Sequence, residues 1–396
     1  MLAVTLITPQ TLASVVNAYT YNRRRLMTGE SVSQPGWYTW GLGYGYDAGG
    51  NLATQSYPTG LVVSYSPNAL GQSTQVTSPS QNYATGITYF PNGALKQFTY
   101  GNGIVHTLTQ NARKLPSQSV DGTVLNLTTT FDGNGNATAI TDGTVGGRQT
   151  RSMGYDGLDR LTSTTSPMFG TASYVYDTLD NLTQVHVSSR AVPHDHLYYC
   201  YSSGGNRLDF VRSGPICTGS ASPSVIALGY DAQGNLAYKN AANFSFDYGN
   251  RARYAGPDGE GYRYDAEGRR VVSWLATGTI LSHYSKSGQM LYQENIRTAI
   301  ATENVYLAGS LLATRERPFA SPTAPVSYLH TDALGTPIAK TNSGGTVIET
   351  SEYEPYGDLL NRANDDRVGY TGHVMDAASG LTYMQQRYYD PQIGRF

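Results

Sequence analysis

His194-Asp195-His196 is one place in this chain where residue types and spacing suggest chemistry. Two imidazoles two apart on a strand share a face and offer two metal ligands. No third ligand is spaced nearby in sequence, so a solvated loop is expected. Asp132, Asn134 and Asn136, in the run DGNGN, imitate the start of a calcium loop. Its twelfth position is Gly143, where calcium requires a bidentate Glu, so a turn is expected instead. Cys200 and Cys217 fall in one long repeat. They are either free thiols or, in an oxidising compartment, a disulfide joining the two arms of that repeat. No motif of a thiol nucleophile accompanies Cys200, and no Walker-type phosphate loop occurs. No cofactor and no metal are expected.

The elements that must position such residues are strands. Among 396 residues there are 32 Tyr against 9 Phe, and 44 Gly, while long runs of helix formers are missing. Thr, Ser, Tyr and Val fill the spaces between Gly- and Asn-rich turns, which favours strands. Charged residues make up 14% and formal net charge is -2. Arg23-Arg24-Arg25 is an isolated basic run, so nucleic acid is not an expected partner. No apolar stretch reaches 18 residues, so no transmembrane helix is expected. The opening MLAVTLITPQTLASVVNA lacks a basic start and carries Pro9 and Gln10, which disfavours a signal peptide.

A short unit recurs along almost the whole chain. Its clearest copies are YDAGGNL from Tyr46, YDGLDRL from Tyr155, YDTLDNL from Tyr176, YDAQGNL from Tyr230 and YDAEGRRV from Tyr264. Weaker copies extend the series from Tyr21 to Tyr306, giving about 14 units of about 22 residues. Tyr ends a strand and packs a flat ring, with a hydroxyl that can stay in water. Asp bonds the backbone two residues on, and Gly or Asn supplies the positive φ of a tight hairpin. The Thr-, Ser- and Val-rich remainder reads as a strand with one buried face. The expected fold is therefore all-β: repeated antiparallel hairpins in a long curled ribbon, a partial shell with little helix. A β-propeller is the other architecture, but it needs four strands per unit, about 40 to 45 residues.

These units resemble the YD repeats of Rhs (rearrangement hot spot) proteins. From Tyr328 the likeness sharpens to the Rhs repeat-associated core. Its motifs are YLHTDALGTP, with Tyr328, His330, Asp332 and Gly335; YEPYG, with Tyr353, Tyr356 and Gly357; and GYTGH, with Tyr370, Gly372 and His373. The tail DAASGLTYMQQRYYDPQIGRF follows, with Asp376, Gly380, Leu381, Arg387, Tyr388, Tyr389, Asp390, Pro391, Gly394, Arg395 and Phe396. Similar repeats occur in toxin-complex subunits, polymorphic toxins, wall-associated proteins and animal teneurins. The resemblance divides the chain into a repeat array, 1–320, and a core, 321–396. It implies a hollow β-shell around a C-terminal toxic domain, plugged by the core and secreted or displayed at the cell surface. In many members the core is also an aspartic autoprotease, with its aspartates in Asp-Pro-x-Gly segments beyond Gly-Arg-Phe.

Asp390-Pro391 lies ahead of that region, so the resemblance carries no catalytic residue onto this chain and no enzyme activity is expected. His330 and His373 are expected to be buried or to cap turns, and Asp332 and Asp376 to form turns. Side by side at about 4.8 Å per strand, the hairpins make a ribbon of roughly 130 Å. Closed into one ring it spans roughly 40 Å, less about 10 Å of wall. A 100-residue domain is roughly 34 Å across. A partial shell is expected, with a missing toxin domain or completing shell segments as partners. Two alternatives stand beside it: an adhesion module whose Tyr rings meet carbohydrate or a cell surface, and a fragment of an autoprotease core.

Overall fold

The computed structural model describes residues 14–191, 194–202, 206–218 and 224–396. Most of the weakly patterned opening segment, and part of the unit at Tyr201, therefore lie outside the described residues. The described residues form antiparallel strands in sheets of 21, 11 and 3 strands. Among the described residues, helix is confined to one 3-10 turn, Tyr370–Gly372. No helix there is long and apolar enough to cross a membrane.

The repeat acts through its turn. At Tyr230 the strand Ser224–Tyr230 pairs with Leu236–Lys239, and the register shifts between Gly229 and Tyr230. Asp231 N donates to the Asn235 carbonyl at 2.9 Å, and Gly234 N donates back to the Asp231 carbonyl at 3.1 Å. Gly234 sits at φ +89°, as a three-residue hairpin loop closed by a bulge requires. The Asp231 carboxylate spans this loop. Its Oδ1 accepts from Gln233 N and Asn235 N at 2.9 and 2.8 Å, and its Oδ2 accepts from Asn235 Nδ2 at 3.0 Å. The same clamp recurs at Asp47, Asp132 and Asp177.

These bonds, first among them the Asn side-chain amide, hold the four carboxyls below their ordinary pKa. A folded value below the unfolded one gives stability that is complete above about pH 4 and lost as pH falls through the folded values. The clamps' contribution is accordingly expected to show as a drop in the urea midpoint below pH 4. An unchanged midpoint at pH 3 would contradict the clamp.

In five units the tyrosine fastens its unit to the one before. Tyr46 OH donates to the Met27 carbonyl at 2.7 Å, Tyr155 OH to Ala137 at 2.9 Å, Tyr176 OH to Leu161 at 2.8 Å, Tyr201 OH to Leu182 at 2.7 Å and Tyr230 OH to Leu208 at 2.6 Å. The hydroxyl expected to stay in water is thus spent on a backbone carbonyl of the preceding unit. A half-buried carbonyl left beside that ring would otherwise go unpaired.

Two compact units divide the chain, and each joins an early run of hairpins to a late one. The first takes the chain as far as Ile87 together with Tyr262–Ser327. Within it, Asn17 Nδ2 donates to Asp265 Oδ2 at 3.1 Å, and Tyr57 OH donates to the Asn304 carbonyl at 2.8 Å. Val32 packs with Val271, Val272 and Leu281 in its core. The second unit takes Thr88–Gly261 with Tyr328–Phe396. Its core gathers Phe169, Val187, Leu197, Val211 and Leu228, with Ile393 of the tail among them.

Early strands such as Met27–Gln34 bury alternate residues, as the pattern predicts. Late strands of the first unit differ. Met290–Asn295 and Ile300–Leu307 are buried on both faces. Their polar residues, read from sequence as facing solvent, are paired inside the unit: Asn304 Nδ2 donates to the Met290 carbonyl at 2.9 Å, and Glu303 accepts from Thr59 and Arg315. A paired polar group tolerates burial, so period-two polarity does not imply an exposed face there.

Candidate functional site

The core motifs lie in the second unit, and two of their carboxylates build turns. Asp332 links the strands Val326–Thr331 and Pro337–Thr341. Its Oδ1 accepts from Leu334 N and Thr336 N at 2.9 Å each, with Gly335 at φ +79°. Burial raises its pKa, against those bonds and the pull of Arg151. Asp376 N donates to the Leu381 carbonyl at 2.9 Å, and Gly380 N to the Asp376 carbonyl at 3.1 Å. His373 Nδ1–H donates to the Thr371 carbonyl at 2.9 Å within the GYTGH turn, where Gly372 has φ +76°, and burial lowers its pKa. Gly357 is required by contact as well as conformation. Its φ is +89°, and a Cβ there would stand 2.6 Å from the Tyr370 ring.

Aromatic rings tie these turns together. Tyr353 and Tyr370 have centroids 5.8 Å apart, Tyr370 and Tyr389 6.5 Å, and Tyr383 and Tyr388 5.2 Å. Tyr389 packs on Phe396 at 5.2 Å, and the Arg387 guanidinium lies 4.1 Å from the Phe396 ring centre. Leu381 and Pro391 are buried.

The tail is docked on the repeats. Lys239 Nζ donates to Asp390 Oδ2 at 2.6 Å and to Gln392 Oε1 at 2.8 Å. Arg395 Nη2 donates to Asn181 Oδ1 at 3.1 Å and to Tyr201 OH at 2.8 Å, its guanidinium lying over the Tyr201 ring. Asp390 N and Gly394 N close the last turn, at φ +66° for Gly394. Arg190 makes a two-pronged pair with Glu354, and Tyr356 OH meets Tyr176 OH at 2.8 Å.

Deepest in the unit is a cluster around His330. Tyr328 and His330 are fully buried, and Tyr328 packs on Tyr100 at 5.9 Å. Asp121, 1% exposed, receives His330 Nδ1–H at 2.7 Å, His106 Nδ1–H at 2.5 Å and Tyr100 OH at 3.2 Å. Burial would raise the Asp121 pKa. The two imidazole bonds outweigh it and hold the carboxyl below its ordinary value. An ionised carboxylate only accepts, so both imidazoles present Nδ1–H. His330 Nε2 lies 2.9 Å from the Thr341 hydroxyl, and Thr341 Oγ1 accepts from Asn102 Nδ2 at 2.9 Å.

Thr341, His330 and Asp121 thus have the connectivity of a nucleophile, base and orienting acid. Thr341 and His330 are wholly inaccessible, so no substrate carbonyl reaches the hydroxyl. Sequence reading found His330 from its motif but missed Tyr100, Asn102, His106 and Asp121. No local pattern marks them, because 209 residues separate Asp121 from His330.

The other sequence candidates resolve as follows. Cys200 and Cys217, 17 positions apart in sequence, are joined as a disulfide. Replacing both by Ser is expected to lower stability by roughly 2–3 kcal/mol, read from denaturation with and without reductant. His186, missed in sequence, lies across from His196 with its ring stacked 3.8 Å away. Imidazole lone pairs lie in the ring plane, so stacked rings do not converge on one ion. Among the described residues no group of three His, Cys, Asp or Glu is set to hold a metal. Asp132 Oδ1 is filled by the backbone N–H groups of Asn134, Gly135 and Asn136. The guanidiniums of Arg160, Arg395 and Arg207 lie over the rings of Tyr176, Tyr201 and Tyr230, at 4.8, 4.9 and 5.0 Å from their centres.

Comparison with known proteins agrees with this architecture. The Teneurin YD-shell family model matches residues 152–396, and the RHS Repeat model matches residues 46–82. The tRNA3(Ser)-specific nuclease WapA of Bacillus spizizenii is 24% identical over 224 residues, covering 50% of this chain and 9% of the nuclease. Teneurin-1 of Gallus gallus is 31% identical over 143 residues, 34% of this chain and 5% of teneurin-1. The chain therefore spans less than a tenth of either relative. The crystal structure of TcdB2-TccC3-Cdc42 superposes with a TM-score of 0.76 at 17% identity, over 96% of this chain and 22% of that one. At that identity the likeness is one of fold.

Proposed function

The chain belongs to the teneurin YD-shell family, and on that premise we propose that it is a non-catalytic wall segment of a larger toxin-type or surface shell, closed off by its own core motif. The observation that carries this reading is the docking of the tail. Ile393 enters the apolar core of the repeats, while Asp390 and Arg395 grip Lys239, Asn181 and Tyr201. A segment so held covers the apolar face formed by Leu197, Val211 and Leu228 and ties it to the core motif. The inaccessible Thr341–His330–Asp121 chain supports a structural role over catalysis. The disulfide suits an oxidising compartment and so a secreted or surface-displayed protein.

Protease protection tests the reading. An unrelated reporter domain is fused after Phe396, both in this chain alone and in this chain joined to further YD-repeat shell segments. The reporter is expected to be digested at its free rate in the first and shielded in the second. Shielding by this chain alone would make it a complete capsule. No shielding in either would remove encapsulation from the proposal.

A further inference from the structure

We propose that a cavity of about 410 Å3 in the first unit binds a small organic carboxylate. It lies on the strands Met290–Asn295, Ile300–Leu307 and Ser310–Pro318. Their register sets two rows: Tyr292, Glu303 and Arg315 opposite one another, and Glu294, Ala301 and Arg317 beside them. Ala301 is the short side chain in the middle of its row, and its size leaves the hollow. Turns at residues 59–62 and 78–80 of the early run complete the lining with Pro322 and Ala324.

The charges are unevenly matched. Glu303 has both oxygens occupied, one by the Thr59 hydroxyl and the other by the Arg315 guanidinium. Tyr292 OH is taken by Glu294 at 2.7 Å. Arg317 has one long hydrogen bond, to the Ser321 carbonyl at 3.5 Å, and no ion pair among the described residues. It is the cation of the cavity with donors to spare. A guanidinium grips a carboxylate through two parallel N–H groups. Ser78 and Ser80 add hydroxyls, while Leu61, Val62 and Pro79 add an apolar edge. A phosphate dianion would call for a second free cation, and Arg315 is already neutralised. The volume suits a small ligand. An acidic monosaccharide and a peptide C-terminus share the chemistry required: one carboxylate on a body with polar and apolar sides.

Isothermal titration of the full chain at low salt distinguishes them. The probes are glucuronate and N-acetyl-dialanine, each beside its neutral counterpart, the methyl ester and the amide. At least one acid is expected to bind saturably, its neutral counterpart not to bind, and Arg317→Gln to weaken the acid at least about tenfold. Arg317→Lys, which keeps the charge and loses the fork, should weaken it by less. Glu303→Gln should release Arg315 and tighten binding several-fold. Which acid binds names the source. Absence of saturable binding by both acids, equal binding of a neutral counterpart, or unchanged affinity in folded Arg317→Gln and Arg317→Lys overturns the proposal.

Discussion

Asp121→Ala is expected to lower the unfolding free energy by roughly 3–5 kcal/mol. Three donors converge on that carboxylate, and two of them, His330 and Tyr100, are buried with it. Removing it takes the acceptor from Nδ1–H of His330, where water does not reach, and from Nδ1–H of His106, at about 1–3 kcal/mol for each unmet group; Tyr100 OH keeps the Leu329 carbonyl at 3.1 Å. The loss would pass along the chain, because Thr341 is aligned by His330 and Asn102 by Thr341. Asp121→Asn keeps the shape but replaces one acceptor by a donor, so it should fall between Ala and the native residue. Urea unfolding followed by far-UV circular dichroism gives both values. A change below about 1 kcal/mol for Ala would mean that the carboxylate does not hold His330 in place.

Glu354→Ala should come next, at roughly 3–4 kcal/mol. Its carboxylate is 4% exposed and takes two N–H groups of Arg190, itself 16% exposed. Burial disfavours the Arg190 charge, and Glu354 more than offsets this, so the guanidinium pKa is raised. Alone, Arg190 would keep a charge in a poorly hydrated place. Replacing both, Arg190→Met with Glu354→Leu, should recover most of the loss, since an apolar pair needs no partner. The single variant should also release the core segment first. Limited proteolysis is expected to cut within residues 353–396 while the repeats remain intact. Equal protease resistance in Glu354→Ala and the native chain would show that this pair does not secure the core.

The hairpins were legible in the sequence because turn chemistry is local. Asp231, Gly234 and Asn235 state their own backbone conformation, and so do their counterparts at Asp47 and Asp177. The family was legible for the same reason, its motifs being compact. The foldback was not. Nothing near His330 announces Asp121, nor does anything near Asp390 announce Lys239, because such partners depend on how the ribbon returns on itself. Burial of Glu303 and Asn304 was missed likewise, since polarity was read without the partners that satisfy it. The Arg residues over Tyr176 and Tyr230 were not legible either, since each comes from a different turn than its ring.

The tyrosine hydroxyls bear on how such a chain changes over generations. Those of Tyr46, Tyr155, Tyr176, Tyr201 and Tyr230 reach a main-chain oxygen of the unit before, at Met27, Ala137, Leu161, Leu182 and Leu208. A main-chain oxygen is supplied by every amino acid. Neighbouring copies therefore need no matched side chains at this joint, and one copy can be duplicated, lost or exchanged without a compensating substitution in the next. Recombination between copies leaves this joint intact, so the length of the ribbon can drift freely while its fastening stays constant.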